Sequence, residues 1–183
     1  NFNCVYFQLL RSFMGFTEGL CALFDEPEEA KALVQYLSDF YCGIIEKTID
    51  LYKPDVFCIV DDTAAWNNPF VSLDMFRELF LPCYKREAQY ALDRGLKISY
   101  HNCGKCEIFM DDMVELGVNS WNPAQICNDL DAIQAKYGNK LVLNGCWSST
   151  KFLNEDLSDE EIRQQIWDVA NQRAKNGGFA FLC

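Results

Sequence analysis

The chain has 183 residues, 50% of them hydrophobic and 23% charged, with a formal net charge of −11. That composition suits one folded domain with a sizeable core and excludes wholesale disorder. With 16 Lys plus Arg against 27 Asp plus Glu, the surface repels phosphate backbones, so nucleic acid is not an expected partner. No apolar run approaches the ~18 residues of a membrane span, and nothing at the start reads as a signal peptide. The ten cysteines are scattered singly through apolar segments, which is the pattern of reduced core thiols and not of a disulfide framework. A cytoplasmic protein is expected, in a reducing cell such as that of an anaerobe.

Along the chain, short apolar strands alternate with long amphipathic helices. Cys4 to Leu9 reads as a strand. Glu26-Pro27 then opens a helix, with Pro where the first turn needs no N–H donor. In that helix Ala30, Leu33, Val34, Leu37, Tyr41, Ile44, Ile45 and Leu51 form one buried stripe. Pro54 ends it, and Asp55 to Val60 is a continuously apolar strand. Ser72 caps a helix over Leu73 to Arg94, which Gly95 terminates and which Pro82 should kink.

Leu96 to Tyr100 is a third strand, followed by a helix over Glu107 to Leu116. Val118 to Trp121 is a brief strand, Leu130 to Tyr137 a helix, and Lys140 to Asn144 another strand. Ser158-Asp159-Glu160-Glu161 is a capping box that opens the last helix, and Gly177-Gly178 precedes a final strand. Six strands joined by mostly helical crossovers imply an α/β fold with a parallel sheet. No Gly-rich phosphate loop follows an early strand, so a (β/α)8 TIM barrel is expected over an open doubly wound sheet. The chain opens on Asn1 and ends on an apolar run, so it is read as a single-domain C-terminal part of that barrel. Six strands leave two open edges, and the isolated chain is expected to form a homodimer or aggregate.

In either architecture the site forms at the C-terminal ends of the strands. Asp61 and Asp62 follow one strand, with Trp66, Asn67 and Asn68 in its loop. His101-Asn102-Cys103-Gly104-Lys105-Cys106 follows the next. Asn122, Gly145-Cys146-Trp147 and Cys183 close the others. His101 is the only histidine. In an extended strand end, residues i and i+2 point the same way, so His101 and Cys103 can converge on one ion. Cys183 is available as a third ligand, and imidazole with thiolates favours zinc over hard cations. Plainer readings stand beside this one. Cys103 and Cys106 suit a redox dithiol, Asp61-Asp62 a turn cap, and Trp66, Trp121 and Trp147 ordinary packing at a barrel rim.

Asp61-Asp62, the run Ser72 to Arg86, Gly95-Leu96-Lys97 leading to His101-Asn102-Cys103-Gly104, and Gly117 to Pro123 together resemble the uroporphyrinogen decarboxylase superfamily. Gly145-Cys146-Trp147 and Gly177-Gly178-Phe179 also fit. The resemblance implies a (β/α)8 barrel with a substantial N-terminal portion outside this chain. Its methylcobamide methyltransferase branch binds zinc through a His-x-Cys and a distant Cys, which His101, Cys103 and Cys183 match. It further implies methyl transfer between a corrinoid such as methylcobalamin, free or carried by a corrinoid protein, and a small thiol or pterin acceptor held by Zn2+. Asp61 and Asp62 would then orient the acceptor or support the metal. Trp66, Asn67, Trp121, Asn122 and Trp147 would shape the substrate mouth. The alternatives are a cofactor-free carboxy-lyase acting on a tetrapyrrole, and a non-catalytic fragment or corrinoid-protein docking module.

Overall fold

A computed structural model describes residues 5–148, 157–175 and 177–182. Five strands are present among them: β1 (Val56–Val60), β2 (Lys97–His101), β3 (Val118–Ala124), β4 (Val142–Cys146) and β5 (Phe179–Leu182). All neighbours are parallel and the order is β1-β2-β3-β4-β5. Chain order and spatial order coincide, with no point at which the sheet reverses direction. A doubly wound sheet needs such a reversal, whereas an arc of a (β/α)8 barrel does not.

Of the strand expected over Cys4 to Leu9, Cys4 lies outside the described residues and the run from Tyr6 is instead the start of a helix, α1 (Tyr6–Met14), which pairs with α2 (Phe16–Asp25) across Gly15. Tyr6, Phe7 and Leu10 are fully buried at helical spacing. Val5, at the N-cap, makes no side-chain cap. The cap comes from Asp61 at the far end of β1, whose carboxylate accepts from the Phe7 and Gln8 N–H groups at 2.9 and 3.3 Å. That long-range cap is why a locally strand-like run becomes a helix.

α3 (Pro27–Tyr52) begins on its proline as expected and ends at Lys53 in a left-handed conformation. Between β1 and β2 the chain forms α4 (Leu73–Met75), a π turn over Phe76–Phe80, and α5 (Leu81–Leu92). The irregularity expected at Pro82 takes this form. Proline brings no N–H and crowds the carbonyl four residues back, and widening the preceding turn relieves both. α6 (Met110–Leu116), α7 (Leu130–Tyr137) and α8 (Asp159–Ala174) make the later crossovers. The expected capping box of Ser158 with Glu161 is present on α8. No helix of the described residues is long and apolar enough to cross a membrane.

The core lies between the sheet and these helices. Phe76 stacks on Phe109 at 4.2 Å, Tyr84 tilts against Tyr100 at 6.3 Å, and Ile59, Ile98 and Trp121 are fully buried. Each such side chain contributes about 1.5–3 kcal/mol of burial. The opposite face of the sheet carries Cys58, Ser99, His101, Ser120 and Asn122 in register, which leaves polar groups facing inward at the strand ends.

Among the described residues neither β1 nor β5 has a strand on its outer side, and Val56, Phe181 and Leu182 are half exposed there. The chain by itself is expected to self-associate through these edges. Multi-angle light scattering should give a mass well above the 21.1 kDa of one chain; a monodisperse monomer would contradict this.

Candidate metal centre

The ends of β1 and β2 build the site because they are neighbours in register, with Val60 opposite His101. The next residues of each chain, Asp61-Asp62 and Asn102-Cys103, therefore meet above the sheet. His101 Nε2, Cys103 Sγ and a carboxylate oxygen of Asp62 all lie within 4.8 Å of one another. Sγ is 3.6 Å from Nε2, and Asp62 Oδ1 is 3.8 Å from Nε2. All three residues are partly buried. One nitrogen, one sulfur and one oxygen at that spacing is a donor set suited to a borderline-soft cation such as zinc.

The imidazole is oriented from behind. His101 Nδ1 lies 2.7 Å from Asn122 Oδ1, and Asn122 Nδ2 donates to Ser99 Oγ at 3.1 Å. An amide oxygen only accepts, so Nδ1 carries a proton, and in the neutral ring the Nε2 lone pair faces Cys103 and Asp62.

The loop bearing Cys103 is fixed on every side. Asn102 is fully buried, donates from Nδ2 to Thr63 Oγ1 and the Tyr100 hydroxyl, and accepts from Thr63 N. Cys103 N donates to Asp62 Oδ1 at 2.9 Å, and Gly104 N donates to Gln125 Oε1 at 2.6 Å. Gly104 has φ +85, and a Cβ there would sit 2.5 Å from the Ala65 carbonyl oxygen. Only glycine turns the chain there and lets it pass this close. Burial and the neighbouring Asp62 carboxylate push the Cys103 thiol up to about 12. A bound cation reverses that balance.

The two aspartates point apart. Asp61 is fully buried, and besides α1 it accepts from the Tyr84 hydroxyl at 2.8 Å. Burial raises its pKa to about 6 against the pull of those donors. Asp62 is the one that turns toward His101 and Cys103, with Oδ2 held by Gln8 Nε2 at 2.6 Å. Gln8, which sequence reasoning missed, therefore matters here, and Asn122, expected at the substrate mouth, stands behind His101 as its acceptor. Gln8 was hidden by the mistaken strand at the start of the chain.

The other expected site residues divide. Trp66 and Asn67 are exposed at the tip of the loop after β1. Trp147 follows β4 and packs beside Phe181 at 6.2 Å. Trp121 does not reach the mouth. It is fully buried on the helix side, opposite Tyr100 in register, and its indole N–H donates to the Asn102 carbonyl. Cys106 is buried with its thiol on the same carbonyl. Among the described residues neither Cys106 nor Cys146 joins the His101 group. Cys183 lies outside the described residues. Every described cysteine is free.

A family model for uroporphyrinogen decarboxylase matches residues 7–182. The fold is similar to a solved methyltransferase from Methanosarcina mazei, with a TM-score of 0.71 and 14% identity. That similarity covers 98% of this chain and 50% of the other, so the chain spans about half that protein's length. No curated protein sequence matches the chain.

Asp61 leaves a direct stability test. Asp61→Ala strands the Tyr84 hydroxyl and two helix N–H groups, and should cost about 2–4 kcal/mol in denaturant unfolding. Asp61→Asn keeps an acceptor and should lose clearly less. Equal losses would show that the cap is not what the carboxylate supplies.

Proposed function

Because the chain belongs to the uroporphyrinogen decarboxylase family, we propose that it forms the metal-bearing part of a zinc-dependent methyltransferase within it. The observation that carries this reading is the convergence of His101, Cys103 and Asp62 at the strand ends. The methyltransferase whose fold it shares adds support. The reaction moves a methyl group between a corrinoid, free or carried by a partner protein, and a small thiol or pterin acceptor.

In this reading His101 and Cys103 hold the ion and Asp62 supplies an oxygen. Cys183 is assigned as a further thiolate. Zinc, when bound, supplies a Lewis acid that lets an acceptor thiol lose its proton near neutral pH. Asn122 and Ser99 keep the Nε2 lone pair of His101 available at that place. Asp61 acts indirectly, holding α1 against the strand end so that Asp62 keeps its direction. Trp66 and Asn67, exposed on the loop above, and Trp147 beside β5 form a rim of aromatic and amide surface for a flat macrocycle or the donor that carries it. A cofactor-free decarboxylation of a tetrapyrrole gives the His101–Cys103 pair no work to do, which ranks that activity second.

The test is methyl transfer from methylcobalamin to a small thiol by the full-length protein. Cys103→Ser and His101→Ala should each remove activity. Asn122→Ala, which touches only the outer side of the imidazole, should cost about 10- to 100-fold. Full activity in Cys103→Ser, or tetrapyrrole decarboxylation by zinc-free protein, would overturn the proposal.

A further inference from the structure

We infer that Gln8 is a positioning residue of the metal centre, one that ties back one oxygen of Asp62 and leaves the carboxylate a single oxygen for the ion. The inference rests on the zinc reading above and goes beyond it, since it assigns control of the coordination number to a helix outside the strand ends.

A carboxylate serves a metal through one oxygen or through both, and the choice depends on what else holds it. Here the two oxygens of Asp62 have separate duties. Oδ2 takes the Gln8 side-chain N–H at 2.6 Å. Oδ1 takes the Cys103 backbone N–H at 2.9 Å and lies on the side of His101 Nε2. Bringing both oxygens onto one ion would require turning the carboxylate, and the bond from Gln8 to Oδ2 opposes that turn.

Gln8 is itself poorly free to move. Its backbone N–H is bound to Asp61 Oδ1, and the preceding Phe7 N–H to Asp61 Oδ2. The Phe7 ring stacks on Phe70 at 5.5 Å and meets Phe80 edge-on at 6.2 Å. The Gln8 side chain thus springs from a backbone held by a buried carboxylate and an aromatic cluster. The adjacent aspartates divide the work: Asp61 fixes the backbone of α1, and α1 returns a side chain that fixes Asp62. With one oxygen withheld, a bound ion would carry one ligand fewer, would stay a stronger Lewis acid and could expand its shell to take an incoming acceptor.

The experiment replaces zinc with cobalt(II) in the full-length protein and compares wild type with Gln8→Met, which matches the side chain in length but has no N–H to donate. Wild type should show strong visible absorption per cobalt, as low-coordinate sites do. In Gln8→Met the same stoichiometry should be retained while that absorption falls several-fold, as the second oxygen joins the ion. The thermal midpoint of the metal-free protein should stay unchanged, because both backbone bonds to Asp61 survive. An unchanged cobalt spectrum in Gln8→Met would overturn the role of Gln8 alone. A lowered midpoint with an unchanged spectrum would reduce Gln8 to a structural contact and overturn it equally. Failure of wild type to take up cobalt would overturn the zinc reading, and this inference with it.

Discussion

Asp61 is the group on which the site depends. A carboxylate with no solvent exposure is costly unless its lone pairs are used, and Asp61 uses them on the α1 backbone, the Tyr84 hydroxyl and the N–H of its own neighbour, Asp62. Those donors come from three separate stretches of chain. One buried charge therefore joins α1, β1 and α5, and fixes the point from which Asp62 projects. Tyr6 of α1 adds a second tie, its hydroxyl donating to Glu87 of α5, also fully buried.

The neighbouring strand completes the arrangement by register alone. Val60 faces His101 across the ladder, and His101 faces Asn122 across the next. Imidazole and amide thus stand in one row with Val60, and Asp62 and Cys103 each follow two residues further along their own strands. The loop that carries the thiol has little freedom, held by Asn102 below, by Gln125 and Asn128 beside it, and by the Ala64–Ala65 carbonyls against Gly104. Rigidity of this kind is what a metal-binding loop needs, since a misplaced thiol loses both affinity and selectivity.

Much of this was legible in the sequence, and the reasons are local ones. Pro27 at a helix start, Ser158 with Glu161 in a capping box and the apolar runs of β1 and β2 each signal their structure within a few residues. So did the His101-x-Cys103 spacing at a strand end, because an extended chain returns to the same side every second residue. What failed was non-local. α1 carries no cap of its own, and the group that caps it lies 54 residues further on. Trp121, which the family resemblance places at the mouth, sits in phase with Tyr100 and not with His101, one residue out of step with the inward row. Asp62 was seen as a possible support and stands within ligand range; only the register of β1 against β2 brings it there.

The most direct test of the central claim is X-ray absorption at the zinc edge of the purified full-length protein. One imidazole nitrogen at about 2.0 Å, thiolate sulfur at about 2.3 Å and an oxygen in the same shell are the expected ligands. Cys103→Ser should lower the sulfur count of that shell by one. Zinc absent from folded protein, or a shell of nitrogen and oxygen that is the same in wild type and Cys103→Ser, would contradict the account.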